Sequence, residues 1–303
     1  MAGGSFNFTN KRTLVFSMQK RLLFLILLSI FSFSIGSGAL AWGPEAHYLI
    51  TKHAIQLLPI EIKGFYSANT RYLAAMSVLP DDWRQTYKET GYHHYCDLDM
   101  FFKPPFSELR AEREVIEPRI GQENLKKMGI LPWIVKERYD KLVSAFKSGN
   151  SEEIVLQSAI LAHFIGDAHV PFHTTKDWDG RGDEQKGLHA RWEDILFLTW
   201  CKPEMVNPSS PAPVKNILES IFDWLTESYN AVEPIIAAEA KAISVDPNHS
   251  YKYYETMWNE TGNIQVSRIK TACESLAGAY ISAWKEAGQP TIEQKPAPLF
   301  WGR

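Results

Sequence analysis

One segment, residues 151–171, constrains the fold more than any other part of the chain, because it carries a helical apolar stripe between a capping residue and a proline. Ser151 can cap the first turn of a helix, and Pro171 cannot continue one. Between them the apolar side chains recur every three to four residues, at Ile154, Leu156, Ile160, Leu161, Phe164 and Ile165. This period predicts an α-helix with one apolar face.

The same period recurs along most of the chain, whereas the alternation typical of β-strands is weak. It predicts further helices at residues 50–58, 188 to about 200, 214–225 and 269–284. The interruptions are short loops rich in glycine or proline, such as 177–187 and 203–213. We therefore predict an all-α fold.

Length and composition fit one folded domain. The chain has 303 residues, of which 45% are hydrophobic and 22% charged, and these values exclude a disordered chain. We predict a single multi-helix domain over residues 42–288 and a proline-containing tail over 289–303. The formal net charge of −3 offers no basic surface for strong binding of duplex DNA. Three cysteines permit at most one internal disulfide.

The first 41 residues are typical of a secretory signal peptide. Basic residues precede an apolar stretch over residues 22–35, and Ala39-Leu40-Ala41 fits the cleavage rule of small residues. The alternative is a membrane anchor, but that stretch is shorter than the ~20 residues of a membrane span. No apolar run of that length follows it, so we expect no transmembrane segment in the mature chain. Met18 is an alternative start. Cleavage after Ala41 would leave Trp42 at the N-terminus of a secreted or periplasmic protein.

Two pairs of histidine and carboxylate residues are candidate metal ligands. His163 and Asp167 are four positions apart, as are His189 and Glu193, and residues at this spacing share one face of a helix. A third histidine, His173, follows the proline that ends the first helix and can turn back toward the same space. Imidazole and carboxylate ligands without thiolates favour zinc, and this set indicates more than one ion.

Further candidate ligands precede these pairs. His47 lies shortly after the predicted cleavage point, and Asp81 and Asp82 follow a Leu-Pro bend. His93 and His94 are alternatives for one ligand position, of which we favour His94. Each residue alone fits an ordinary role as a cap, a surface charge or a hydrogen-bonded histidine. Only the whole set of these residues indicates a metal site.

The ordered set of candidates resembles a known group of enzymes. With Trp42-Gly-Pro-Glu-Ala-His47 at the predicted cleavage point and the spacing His163-x₃-Asp167-x₅-His173, the chain resembles the zinc-dependent phospholipase C and single-strand-specific nuclease superfamily. The resemblance spans residues 42 to about 200. It implies an all-α fold with a trinuclear zinc cleft.

The resemblance also implies how nine ligands would be divided among three Zn²⁺ ions. One ion would be held by the amine and carbonyl of Trp42 with His47 and Asp167, a second by Asp81, His94, His163 and Asp167, and a third by His173, His189 and Glu193. Asp167 would then bridge two ions. An α-amino group, with a pKa near ~7.7–8.0, can yield its proton to a metal at neutral pH, so signal cleavage would complete the first site.

By resemblance the chain is a zinc-dependent hydrolase of phosphoric ester bonds that uses a water activated by metal. Asp81 would orient or deprotonate that water, and Arg84 would contact the phosphate. Tyr95 and Asp97 resemble nuclease positions that stack on a base and hydrogen-bond to it. From the residues alone, Arg84 could instead form a surface ion pair, and Tyr95 could belong to the core.

Two substrate classes and one non-enzymatic reading stay open. We lean toward a phospholipase C-like enzyme acting on a phospholipid headgroup, because Glu193 resembles that branch. An apolar cleft mouth could be lined by Phe101, Phe102, Pro104, Pro105 and Phe106. The alternative is a single-strand nuclease or 3′-nucleotidase, which the short gap between Trp42 and His47 favours. A secreted helical protein that binds zinc without catalysis is the second alternative.

Overall fold

The computed structural model describes residues 42–298, and none of these residues lies in a β-strand. The predicted all-α class, with one helical domain, is confirmed. The predicted signal peptide at 1–41 lies outside the described residues, as do residues 299–303 of the predicted tail.

Helices α1 to α8 form the first half of the described chain, in the order α1 (Pro44–Gln56), α2 (Ile60–Ala68), α3 (Thr70–Met76), α4 (Leu79–Thr86), α5 (Arg113–Ile120), α6 (Gln122–Met128), α7 (Leu131–Ser148) and α8 (Ser151–Asp167). The second half contains α9, made of Leu188–Ala190, a π-helical turn Arg191–Leu196 and Phe197–Trp200, then α10 (Ile217–Asn230), α11 (Val232–Val245) and α12 (Tyr251–Glu286). Short 3₁₀ turns occur at Lys88–His93, Ser107–Leu109, Pro171–His173, Asp183–Gln185 and Pro203–Met205.

Helix α8 lies at the centre of the molecule. It packs against α7, α3, α12 and α1, and its residues from 158 to 167 are all buried. The cap predicted at Ser151 is wrong by one residue, because the Asn150 side chain accepts the hydrogen bond from the Glu153 N–H at 3.2 Å. The helix ends at Asp167, ahead of Pro171 as expected, since proline disfavours a helical residue before it.

Helix α9 spans the predicted segment 188–200, but its middle turn is π-helical rather than α-helical. Two hydrogen bonds to α12 fix this turn: Gln265 Nε2 donates to the Trp192 carbonyl at 2.5 Å, and Trp192 Nε1 donates to Thr261 Oγ1 at 3.2 Å. The sequence period could not reveal the π turn, because these partners come from a distant helix.

The remaining predicted elements differ in detail. Val214 precedes α10, which begins at Ile217 because Asn216 caps it by accepting the Glu219 N–H at 3.1 Å. The described part of the tail packs on the first helices, since the side chain of Gln294 accepts the Phe65 N–H at 2.9 Å. No described helix combines the length and the apolar character needed to cross a bilayer. The three cysteines, Cys96, Cys201 and Cys273, are unpaired.

Candidate metal centre

Asp167, at the last turn of α8, is the hub of a buried cluster of histidines. Its Oδ2 lies 3.2 Å from His163 Nε2 and 3.0 Å from His94 Nδ1. Its Oδ1 lies 3.5 Å from His47 Nε2 and 3.9 Å from His173 Nδ1. One carboxylate therefore reaches four imidazoles, all of them buried.

Several elements bring these side chains together. His47 lies on α1, Asp81 on α4 and His94 directly after the 3₁₀ turn Lys88–His93. His173 ends the 3₁₀ turn that follows Pro171, so the chain does turn back after the proline. Histidines and carboxylates from before and after α8 in the sequence therefore meet at the end of this helix.

Three groups of side chains each place their ligand atoms within 4.8 Å of one another: His47, His163 and Asp167; Asp81, His94 and His163; and His173, His189 and Glu193. We refer to them as the first, second and third triad. The third is the ligand set implied by resemblance, and the second holds three of the four implied ligands, without Asp167. In the first triad His163 stands beside His47, with their rings stacked at 4.3 Å, so His163 is shared between two triads.

The third triad is completed by α9. His189 Nε2 and Glu193 Oε2 are 2.5 Å apart, without the alignment of a hydrogen bond. The His173 ring meets the His189 ring edge-on, with centroids 5.1 Å apart. The i, i+4 pair predicted from sequence is therefore one compact group with His173.

The triads contain many buried polar atoms without a hydrogen-bond partner among the described residues. These atoms are Nδ1 and Nε2 of His47 and of His189, Oε1 and Oε2 of Glu193, Nε2 of His94, Nδ1 of His173, and one carboxylate oxygen each of Asp81 and Asp167. Folded proteins rarely leave such atoms unpaired. Tetrahedral zinc, with ligands at 2.0–2.1 Å, separates its ligand atoms by about 3.3 Å, close to the spacings around Asp167. The donor set and its spacing therefore fit zinc.

Burial keeps most of these histidines neutral. It lowers the pKa of His189 to about 4 and also lowers the pKa values of His47, His94 and His173, because a buried imidazolium loses its hydration. Neutral imidazole is the form that ligates a metal. Burial also lowers the pKa of His163, but the carboxylates of Asp167 and Asp81 outweigh it and raise the pKa overall.

The pKa values of the two innermost carboxylates shift in opposite directions. Burial would raise the pKa of Asp167, but the His163 charge and the nearby imidazoles of His47 and His94 hold it well below the ordinary value. Burial raises the pKa of Glu193 well above the ordinary value, and the Asp167 and Asp81 charges add to the effect. A cation bound nearby would favour the ionised form of Glu193, because an opposite charge lowers the pKa of a carboxyl group.

A backbone carbonyl orients the shared histidine. His163 Nδ1–H donates to the Ser77 carbonyl at 2.8 Å, which leaves Nε2 directed at Asp167. Outer partners of this kind fix the tautomer of a metal-binding histidine. No sequence pattern indicated this role for Ser77, because it depends on a backbone group just before α4.

Trp42, the predicted mature N-terminus, is fully buried. Its indole packs on Trp192 and Phe197 of α9, with centroids 5.5 and 6.3 Å away. The next residue, Gly43, adjoins Asp194 so closely that a Cβ would lie 2.4 Å from the Asp194 carboxylate. The start of the domain is thus held by the same helix that supplies the third triad.

The predicted catalytic pair lies at the partly open side of the cluster. Arg84 Nη2 is 3.5 Å from Asp81 Oδ1, and the two side chains are 19% and 12% exposed. Arg84 also acts electrostatically on His189 and Glu193, so its charge is within reach of the third triad.

The predicted base-binding residues differ in environment. Tyr95 is half-buried and lies against Gly129. Asp97 is buried, and its Oδ1 has no partner among the described residues. Burial, with Asp99 and Asp177 nearby, raises the pKa of Asp97 to about 8.

The structure separates the remaining histidines from the triads. His93 packs on Tyr92 beside the cluster and belongs to none of the triads, whereas His94 belongs to the second. His169 is a core residue, since its Nδ1–H donates to the Ile165 carbonyl at 2.7 Å and its Nε2 lies 3.2 Å from Ser275 Oγ.

One aromatic residue near the site was missed from the sequence. Trp178 is 44% exposed, and its ring centroid lies 6.0 Å from that of His189. The sequence contained one indication of this role, an indole in the otherwise polar loop 177–187 that follows His173. Trp178 forms an exposed aromatic surface beside the third triad.

Comparisons with known proteins identify one relationship. A family model described as S1/P1 nuclease matches residues 42–287. No curated protein matches the chain. The match begins at Trp42, the residue that the cleavage rule places at the mature N-terminus.

Proposed function

The chain belongs to the S1/P1 nuclease family, and we propose that it is a secreted zinc-dependent phosphodiesterase that cleaves single-stranded nucleic acid or nucleotides. Family membership establishes the broader class, a phosphodiesterase of the zinc-dependent phospholipase C and nuclease superfamily. The preference for single strands, the number of ions and the site residues are parts of the proposal.

One observation carries this proposal: three buried triads meet around Asp167 with most of their ligand atoms unpaired. We assign three zinc ions to them, with Asp167 between the first two. The α-amine and carbonyl of Trp42 would complete the first triad after signal cleavage. The close packing of Trp42 on α9 supports this assignment, because it holds the start of the domain beside the ligands.

When bound, zinc ions in these triads would supply Lewis-acid activation of water and charge neutralisation at the phosphoryl group. The chain supplies the rest. Asp81 would orient the water and accept its proton, and its partial exposure at the edge of the second triad supports this role. Arg84 beside it offers a guanidinium fork to the phosphate oxygens.

Aromatic and acidic groups beside the triads suit a nucleobase. Bases stack on exposed aromatic rings with little regard to sequence, and Trp178 offers such a ring next to His189. Asp97 Oδ1, which has no hydrogen-bond partner in the described part of the chain, could accept a hydrogen bond from a base, and Tyr95 lies two residues before it. These features favour a nucleotide over a lipid headgroup.

The lean toward a phospholipase C-like enzyme is not confirmed. The matching family model is that of nucleases, and the expected apolar cleft mouth is incomplete. Phe106 is buried against Tyr229, with ring centroids 5.0 Å apart, and Phe102 packs on the core. Phe101 alone of the three rings is largely exposed.

A side-by-side assay tests the proposal. The chain beginning at Trp42 is purified, its zinc content is measured, and it is given single-stranded DNA, RNA, 3′-nucleotides and phosphatidylcholine, each with and without a chelator. We expect chelator-sensitive cleavage of the nucleic acids. Cleavage of phosphatidylcholine alone would replace the proposed substrate, and absence of bound zinc would refute the metal assignment.

A further inference from the structure

Arg191 lies in the π-helical turn of α9, midway between the third-triad residues His189 and Glu193. Its side chain forms a separate polar network. The guanidinium donates to Glu239 Oε1 at 2.6 Å, to Tyr253 Oη at 2.9 Å, and to the carbonyls of Gln185 and Lys186 at 2.9 and 2.8 Å. One side chain thus ties α9 to α11, to α12 and to the preceding loop.

The partners of Arg191 are themselves buried and fixed. Glu239 is fully buried on α11 and accepts a second hydrogen bond from the Tyr253 hydroxyl. The loop before α9 is held by Gln185 Nε2, which donates to the Ile236 carbonyl at 3.0 Å. Gly187 has a φ of +88°, and a Cβ there would lie 2.8 Å from the Arg191 guanidinium. The loop before α9 and the buried Glu239–Tyr253 pair therefore enclose the Arg191 side chain.

The π turn needs such support. A π-helical turn is rare, and here its Trp192 carbonyl is held by Gln265 at 2.5 Å while Arg191 is held by Glu239. The two contacts fix consecutive residues between His189 and Glu193. The distance of 2.5 Å between His189 Nε2 and Glu193 Oε2 therefore depends on the conformation of the π turn.

We propose that Arg191 is a positioning residue, which through its ion pair with Glu239 holds His189 and Glu193 in the geometry that binds the third zinc ion. The inference rests on the proposed function only in taking the third triad as a zinc site. Partners behind metal ligands typically change metal affinity by about 10–100-fold when removed. We expect that loss to be confined to one ion.

The test measures zinc retention by the full mature chain. Zinc-loaded protein is dialysed against a graded series of chelator concentrations, bound zinc per chain is measured, and the unfolding temperature is recorded in parallel. The double variant Arg191→Met/Glu239→Gln removes both charges, so that neither stays buried without its partner. Arg191→Lys is the milder second variant, which keeps the charge and loses the fork. Arg110→Met is the matched control, because its partners Asp223 and Thr226 lie on α10.

We expect both Arg191 variants to bind one ion about 10–100-fold more weakly, the lysine variant less so, and the other ions as in the native chain. The control should match the native chain. In a Glu193→Gln background, the Arg191 changes should have no further effect on zinc release, because they act on the same ion.

Two results would overturn the inference. In one, all ions weaken together in step with a lower unfolding temperature, which is the behaviour of a purely structural ion pair. In the other, zinc affinity is unchanged in both variants. If the native chain binds three ions and either result is obtained, the metal assignment stands and only the role of Arg191 is lost. A native chain without zinc would overturn both.

Discussion

His163 and Asp167 lie one helical turn apart on α8, with Nε2 and Oδ2 separated by 3.2 Å and both side chains shielded from solvent. The same carboxylate is 3.0 Å from His94 and 3.5 Å from His47. The Asp167 carboxylate therefore lies beside histidines of both the first and the second triad.

Replacing Asp167 by Asn should remove two zinc ions at once. An amide carries no negative charge and is a poor zinc ligand, so both ions that share this side chain lose affinity. Zinc content measured by atomic emission should fall by two ions per chain, and activity should fall with it. Asp140→Asn, at a surface pair with Lys136, is the control and should keep all zinc. Loss of a single ion would show that Asp167 does not bridge.

A chain that keeps residues 39–41 in front of Trp42 should have little activity. The extension turns the free α-amine into an amide, which cannot ligate a metal, and the buried position of Trp42 leaves little space for rearrangement. Turnover of single-stranded DNA and zinc content are compared before and after removal of the extension by a specific protease. Removal should restore both. Full turnover with the extension in place would refute the ligand role of Trp42.

Arg84→Met should lower kcat/KM by about 10²–10³-fold without changing zinc content. The expected loss is that of one group which stabilises charge in the transition state, and Arg84 is not a metal ligand. Arg84→Lys should retain part of the activity. Arg71→Met, an exposed arginine on α3, is the control. If zinc is lost together with activity, Arg84 acts on the structure of the site rather than on the phosphate.

Trp178→Ala should raise KM for single-stranded DNA by roughly 5–150-fold, the equivalent of the ~1–3 kcal/mol that stacking contributes per base. Trp178→Phe should keep most of the affinity because it keeps an aromatic face. Tyr72→Ala removes another exposed ring, on α3, and should have no effect. Equal KM values for the tryptophan and alanine forms would exclude Trp178 from substrate binding.

Asp246→Asn should destabilise the fold at neutral pH but not in acid. The Asp246 carboxylate accepts hydrogen bonds from the Ser250 hydroxyl and from the N–H groups of Asn248, Ser250 and Tyr253, at the start of α12. These bonds, chiefly that of the Ser250 hydroxyl, lower its pKa. Its contribution is therefore complete above the unfolded pKa of about 3.9 and disappears as the pH falls through the lower folded value.

Denaturant unfolding of both chains over a pH series measures this effect. The variant should be less stable by about 1 kcal/mol near pH 7, the usual difference between a hydrogen bond to a charged group and one to a neutral group. The difference should shrink toward zero in strong acid. A constant difference at all pH values would mean that the charge of Asp246 is irrelevant.

Local sequence patterns predicted much of the site. The i, i+4 spacing placed His163 with Asp167 and His189 with Glu193, because that relation is fixed by the helix itself. The same patterns failed at Ser151, where Asn150 is the cap, and they could not show the π turn around Arg191, which Gln265 and Glu239 support from α12 and α11.

The helical class and the chemistry of the candidate ligands could be predicted from the amino-acid sequence, because apolar period and residue type are local properties. The sequence did not reveal that His47, Asp81 and His94 meet the end of α8, that Trp178 lies beside His189, or that His169 belongs to the core. Those outcomes depend on which helix faces pack together. Packing is set by the fit of many distant side chains at once, and no short stretch of sequence contains that information.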